Sequence, residues 1–311
     1  MSFKKQRNSA AILVGCATIA LGLIGATPAV ADTPDPSTIE SVIRATPATA
    51  NDSAQVPTAE TGKNAIDADV ADAKVVVPVE PESGITVDTA AGEIGVALPF
   101  ASRANRANAE KKGIVSYDNN NGSSTVPVIT SSGTLQINSV INDSSAPSRY
   151  SYDLTIPEGG SIVPAGRGYF IVNESNDPVA FIAEPWAKDA NGAPVATHYE
   201  LDGTTLTQFV DHNTTNAYPI VADPSFVWEG ILPAVKLNRA ETKTATTMTG
   251  MATVCGWVTR YTSYAGGLIC GANSLSIIAN SQRAYNAGKC EELLVGPGVI
   301  GSIAYSGGYC K

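Results

Sequence analysis

The stretch VATHYELDGTTLTQFV, residues 195–210, reads as two short strands around Asp202-Gly203. That dipeptide tolerates the positive φ values of a two-residue type I′ turn. Pairing Leu201 with Thr204 then sets the register and brings His198 opposite Thr207. The register puts Val195, Tyr199, Leu201, Leu206 and Val210 on one face and Glu200, Thr205 and Thr207 on the other. Such alternation suits an antiparallel sheet with one wet side.

Working outward, residues 74–226 carry further runs of β-branched, aromatic and alternating residues separated by turn chemistry. Strands are expected at 75–79, 84–87, 94–98, 134–138, 150–154, 169–172 and 179–183, the last two joined by Asn176-Asp177-Pro178. Strand signals at this spacing, with almost no helix signal, predict an all-β sandwich-like domain closed by Tyr218 to Pro224. Within it, Ser102 to Lys112 concentrates Arg103, Arg106, Lys111 and Lys112, which suits an exposed loop or a protease-sensitive site. Trp186 suits a core position or a ligand-facing one.

After Phe226 the composition shifts to Ala, Gly, Ser and Thr with helical periodicity, predicting a small α+β helical-hairpin subdomain over 227–311. Asn238 with Glu241 forms a capping-box pair. The helix it starts aligns Met248, Met251, Cys255, Val258 and Thr262. Gly266-Gly267 is expected to break it, and a second helix from Leu268 aligns Ala272, Leu275, Ala279, Gln282 and Tyr285, with Gly288 as C-terminal cap. Residues 290–305, turning at Gly296-Pro297-Gly298, read as a β-hairpin.

Upstream, residues 32–73 are rich in Ala, Thr, Pro, Asp and Ser and read as a disordered linker or pro-segment. A short helix near Thr38 to Arg44 would gather Ile39, Val42 and Ile43, too little for a core. Residues 1–31 have the order of a signal peptide: Lys4, Lys5 and Arg7, an apolar run from Ala10 to Gly25, then Ala29-Val30-Ala31 before Asp32. Cleavage is expected between Ala31 and Asp32 by signal peptidase, in preference to a retained anchor. Leu13-Val14-Gly15-Cys16 also fits a lipidation box, but the apolar run continues past Cys16.

Cleavage there leaves Cys255, Cys270, Cys290 and Cys310, an even set suited to two disulfides in an exported chain. One of three connectivities joins Cys255 to Cys270 and Cys290 to Cys310. Charge is unevenly spread along a chain of net −9: residues 229–311 carry +3 and residues 32–228 carry −15. A basic module attached to an acidic one suits an anionic or an intramolecular partner, although solubility alone also favours acidic exported chains.

No nucleophile elbow, zinc-protease helix, phosphate loop or dinucleotide fingerprint is present. His198 and His212 read as polar strand positions. Asp153 with Glu158 and Glu200 with Asp202 are unspecific carboxylate pairs, and at 6% aromatics a sugar cleft is poorly supplied. No catalytic residue, cofactor, metal or nucleic-acid partner is expected.

At Tyr218 to Pro224, Asn238 to Lys243, Gly288-Lys289-Cys290 and Tyr305 to Cys310, the chain resembles exported actinobacterial proteins of unassigned function. The resemblance covers roughly residues 145–311. It implies an acidic β-rich region followed by a Cys-stapled helical hairpin, laid out like a bacteriocin precursor, and no catalytic residues. The reading is therefore of a secreted or wall-associated, non-enzymatic protein. Its C-terminal module would be cationic, antimicrobial, freed by an activating protease and aimed at the bacterial membrane or cell envelope. The alternatives are an envelope-associated binding or structural protein, and an exported inhibitor of a protease or toxin.

Overall fold

The computed structural model describes residues 36–261 and 264–311. The expected signal segment, with Cys16 and the expected cleavage site between Ala31 and Asp32, lies outside the described residues, as does Thr262. The strands of the acidic region begin with β1 (Asn64–Val70), β2 (Ala73–Pro78), β3 (Ile85–Thr89) and β4 (Gly92–Val96). Next come β5 (Asn108–Lys111), β6 (Ile114–Asp118), β7 (Ser123–Thr130), β8 (Thr134–Ile141) and β9 (Arg149–Thr155). They continue with β10 (Ser161–Ala165), β11 (Gly168–Val172), β12 (Pro178–Ile182) and the short β13 (Ala187–Lys188). The set ends with β14 (Thr197–Asp202), β15 (Thr205–Val210), β16 (Ile220–Ala222) and β17 (Ser225–Val227).

These strands make two antiparallel sheets, one ordered β1-β2-β3-β4-β9-β15-β14 and the other β10-β11-β12-β17-β8-β7-β6-β5, with β16 beside β8 and β13 beside β16. Both contribute to one core, in which Ile85, Val87, Ile94, Tyr150, Tyr152 and Leu206 of the first meet Tyr117, Leu135, Ile137, Ile182 and Phe226 of the second. The all-β, sandwich-like reading holds. Every predicted strand is present, and β9 alternates exposed and buried residues along its length, as a one-sided strand must.

The hairpin's register differs from the expected one. Leu201 pairs with Leu206 and Asp202 with Thr205, so the two-residue turn is Gly203-Thr204 and His198 faces Phe209. Gly203 has φ +59° while Thr204 does not enter the positive-φ region, which is the type II′ pattern with Gly first. The slip moves each partner by two residues, and side chains alternate with period two, so the faces are unchanged. Tyr199, Leu206 and Val210 are buried and Glu200 is exposed, but Thr207 is covered, sharing a 3.0 Å hydrogen bond with Ser151.

The expectation of disorder over 32–73 fails from Pro36 onward. Helices α1 (Pro36–Ala45) and α2 (Pro47–Asn51) lie on the outside of the larger sheet. There Val42 joins Ile114, Val126, Val128, Val140 and Val221 in a second apolar cluster. Ala54 N–H then donates to Ile129 O at 2.8 Å before β1 begins. Few apolar residues suffice because the sheet supplies the rest of the core, and this covering layer is why β7 is buried at all eight positions. The basic stretch at 102–112 is likewise anchored: Ala107 N–H donates to Val79 O, Arg106 pairs with Glu80 at 2.7 Å, and 108–111 are β5.

The C-terminal module is a three-stranded sheet, β18 (Leu232–Lys236), β19 (Cys290–Gly296) and β20 (Val299–Tyr305), with four helices. The helices are α3 (Arg239–Ala245), α4 (Met248–Tyr261), α5 (Tyr264–Ala272) and α6 (Ser274–Asn286). One face of this sheet packs on β10–β12 of the sandwich, where Leu294 joins Phe170 and Phe181. Gly296 and Gly301 are needed here, because a Cβ on either would stand 2.7 Å or 2.8 Å from the Phe170 ring. Gly301→Val should therefore cost about 1–3 kcal/mol by overpacking, and Phe170→Ala about 3–5 kcal/mol by cavity formation. Urea unfolding followed by circular dichroism measures both; a change under about 0.5 kcal/mol, the level of an ordinary surface substitution, would show that the two layers are not packed this way.

Candidate functional site

The module's helices begin as the sequence indicates. Asn238 Oδ1 accepts from Glu241 N–H at 2.9 Å and Glu241 Oε2 from Asn238 N–H at 2.8 Å, a complete capping box. The helix then stops early. Hydroxyls of Thr244 and Thr246 donate to the carbonyls of Ala240 and Lys243, and Thr247 Oγ1 accepts from Gly250 N–H, so the threonine run ends one helix and caps the next. Gly266 and Gly267 do not break a helix but lie within α5; a Cβ on Gly267 would stand 1.8 Å from Thr259 Oγ1. Glycine there permits close approach of α5 to α4, a packing gain that outweighs its low helix propensity. Gly288, at φ +74°, ends α6 with Lys289 N–H donating to Ala284 O, as expected of a C-terminal glycine.

Both disulfides have the pairing considered from the spacing: Cys255–Cys270 joins α4 to α5, and Cys290–Cys310 ties β19 to the C-terminus. Of the first helical stripe, Met251 and Val258 are buried and Cys255 half-buried, while Met248 is 62% exposed. The second stripe faces the opposite way from a core. Leu268 and Leu275 are 59% and 73% exposed, and Ala272, Ala279 and Gln282 are exposed with them. Residues 277, 281 and 284, an isoleucine, a serine and an alanine, are buried instead. Asn273 N–H donates to Ile269 O and Ile277 N–H to Asn273 O, so the outer stripe runs nearly unbroken from α5 into α6. No Asp or Glu occurs from Thr244 to Lys289, whereas Arg260, Arg283 and Lys289 do.

Beneath the helices lies a residue that composition did not single out. Glu291 is fully buried on β19, where Ser302 Oγ donates to Oε1 at 2.5 Å and Ser281 Oγ donates to Oε2. Burial pushes its carboxyl up to about 8, against the smaller opposing effect of the Ser302 bond. The acid thus keeps its proton to a higher pH than an exposed carboxylate, which makes the module more positive near neutrality than its formal +3. Its neighbour Glu292 points to the sandwich, accepting from Asn176 Nδ2 at 3.2 Å with Lys236 Nζ 3.6 Å away; burial raises this carboxyl too. A second buried acid, Asp223, sits in the sandwich core, where Ser225 Oγ and Trp186 N–H donate to it and burial lifts it to about 7. No local pattern in the sequence marks Glu291, because its two serine partners come from different elements, Ser281 from α6 and Ser302 from β20.

The remaining candidates do not converge. His198 stacks on Phe209 at 4.9 Å, with Glu200 3.7 Å away, while His212 bonds Tyr218 Oη and Pro147 O. Asp153 accepts from Thr205 Oγ1 at 2.6 Å. Trp186 is half-buried against the α1 cluster, with Lys188 over its ring at 5.4 Å. Among the described residues no group of three or more His, Cys, Asp or Glu is placed to hold a metal, and no helix is long and apolar enough to cross a membrane. The chain matches no family model, no curated protein and no solved structure.

Two measurements test this arrangement. A carboxyl whose folded value is raised binds its proton more tightly folded than unfolded, so stability falls as pH rises from the ordinary carboxylate range through the raised value. Melting temperature should thus decline between pH 5 and pH 8 as Asp223 and Glu291 ionise, and Glu291→Gln should flatten the upper part of that decline; an unchanged slope in the variant would contradict the buried neutral acid. Replacing Cys255 and Cys270 with Ala opens a loop of sequence separation 15 and should cost about 3 kcal/mol, read by chemical denaturation with the other disulfide intact.

Proposed function

We propose that this is an exported, non-enzymatic protein that acts at the bacterial envelope through its C-terminal module, carried on an acidic sandwich. The observation that supports it most is the outward stripe of α5 and α6: apolar side chains and small residues on a 46-residue stretch with three bases and no acid. Exposed apolar side chains on one face mark interaction surfaces, and the absence of carboxylates suits an anionic lipid surface. The sandwich, at −15 over residues 32–228, is repelled by the same surface and would stand away from it.

Co-sedimentation with vesicles tests this reading. Binding is expected to phosphatidylglycerol-containing vesicles in preference to pure phosphatidylcholine, and Leu268→Ser with Leu275→Ser should weaken it by tenfold or more, at about 1.5–3 kcal/mol per buried leucine. Equal binding to both vesicles, or an unaffected double variant, would overturn it.

Release of the module as a bacteriocin-like fragment is supported by a separate feature. Between Trp228, held by Ala71 O at 3.1 Å from its Nε1, and β18, the chain crosses at the exposed Glu229-Gly230. Both disulfides lie beyond that crossing, so a cut there leaves them intact. Intact-mass analysis of spent medium and washed cells should then find a fragment starting near Glu229 that gains about four mass units on reduction of its two disulfides. A single species beginning at Asp32 would leave action in one piece as the account.

A further inference from the structure

A cleft of about 490 Å³ opens in the module between β18, the start of α3, the end of α4 and the C-terminal Tyr309. That size lies within the roughly 300–1,000 Å³ of small-molecule sites. Val235 and Leu237, both buried, give it an apolar floor, and Trp257 and Tyr309 contribute aromatic surface. Two cations line it: Arg260 at the end of α4 and Lys236 on β18. Among the described residues no carboxylate lies within salt-bridge distance of Arg260. Lys236 is 3.6 Å from the buried Glu292 yet keeps about half of its side chain exposed. The one acid in the lining, Glu241, has both oxygens engaged, by Asn238 N–H at 2.8 Å and by Tyr309 Oη at 3.2 Å. It fastens the chain terminus to α3 and so shapes one wall.

An apolar floor, aromatic surface and a guanidinium with no carboxylate partner among the described residues define a ligand by its chemistry. Guanidinium groups take carboxylates through paired, charge-assisted hydrogen bonds, and aromatic rings hold flat or apolar bodies. We propose that this cleft binds a small organic carboxylate with a flat or apolar body, Arg260 and Lys236 taking its charge and Trp257 and Tyr309 its body. The site is distinct from the outer stripe of α5 and α6 and does not depend on binding to lipid.

The test follows the indole N–H resonance of Trp257, assigned by its loss in Trp257→Phe, in the full chain with both disulfides intact. Indole-3-acetate is titrated against its neutral isostere indole-3-acetamide. The acid should shift the resonance saturably and bind at least about tenfold more tightly than the amide, the range of a charge-assisted hydrogen bond. Arg260→Gln should abolish that preference. Arg283→Gln, which removes the same charge from α6 outside the cleft, should leave it intact. Equal affinity for acid and amide, a preference that survives Arg260→Gln, equal loss in Arg283→Gln, or no shift at millimolar indole-3-acetate would each overturn the assignment.

Discussion

Strand β19 is buried on both faces, and that constraint organises the C-terminal half of the molecule. Its alternate side chains must satisfy two environments at once: Leu293 and Val295 enter the core under the helices, while Leu294 enters the cluster with Phe170 and Phe181. Glu291 and Glu292 divide in the same way, one bonded to serines inside the module and the other reaching Asn176 of the sandwich. Release of the module from the sandwich would bare the face of β19 that carries Leu294 and Glu292. The module is therefore a second layer laid on the sandwich, and its free surface is the outside of its helices.

That geometry explains why the helices can be unusual. Their inner residues mix Ala245, Ser281 and Ala284 with Met251, Val254, Val258, Cys270 and Ile277, and two disulfides reinforce the core they form with β19. Closing a loop of about 15 residues contributes about 3 kcal/mol in the chain-entropy account, comparable with fully burying one large aliphatic side chain. With the inner face secured in this way, the outer face of α5 and α6 is free to display Leu268 and Leu275. A stripe kept apolar where stability does not require it is the feature that points to a partner.

Acids are also distributed by burial as well as by number. The sandwich keeps most of its carboxylates in water, but Asp223 is enclosed among Trp186, Ser225 and the core tyrosines, and Glu291 among serines. Both retain protons to a pH well above the ordinary carboxylate range because burial penalises the charged form. The chain's formal charge thus overstates its negative charge near neutrality, and the difference within the module enlarges its positive one.

Local patterning determined the elements of this protein. Alternation and turn residues located β2 to β4, β8, β9, β11, β12, β14, β15, β19 and β20 but missed β6, β7, β10 and β18; the Asn238-Glu241 pair and Gly288 marked helix ends, and the even cysteine set anticipated two bridges, each a property of neighbouring residues. Tertiary structure decided the rest. Residues 36–54 are too poor in apolar side chains to fold alone, and become ordered because the larger sheet offers Val42 a ready surface. Gly266 and Gly267 signal a break by propensity, yet close packing against Thr259 keeps them helical. The stripe from Leu268 shows a face but not its direction, since periodicity reports which residues lie together and not which side meets the core. Only the position of β19 beneath α6, with Glu291 bonded to Ser281, turned the Ile277, Ser281 and Ala284 side inward and the leucines out.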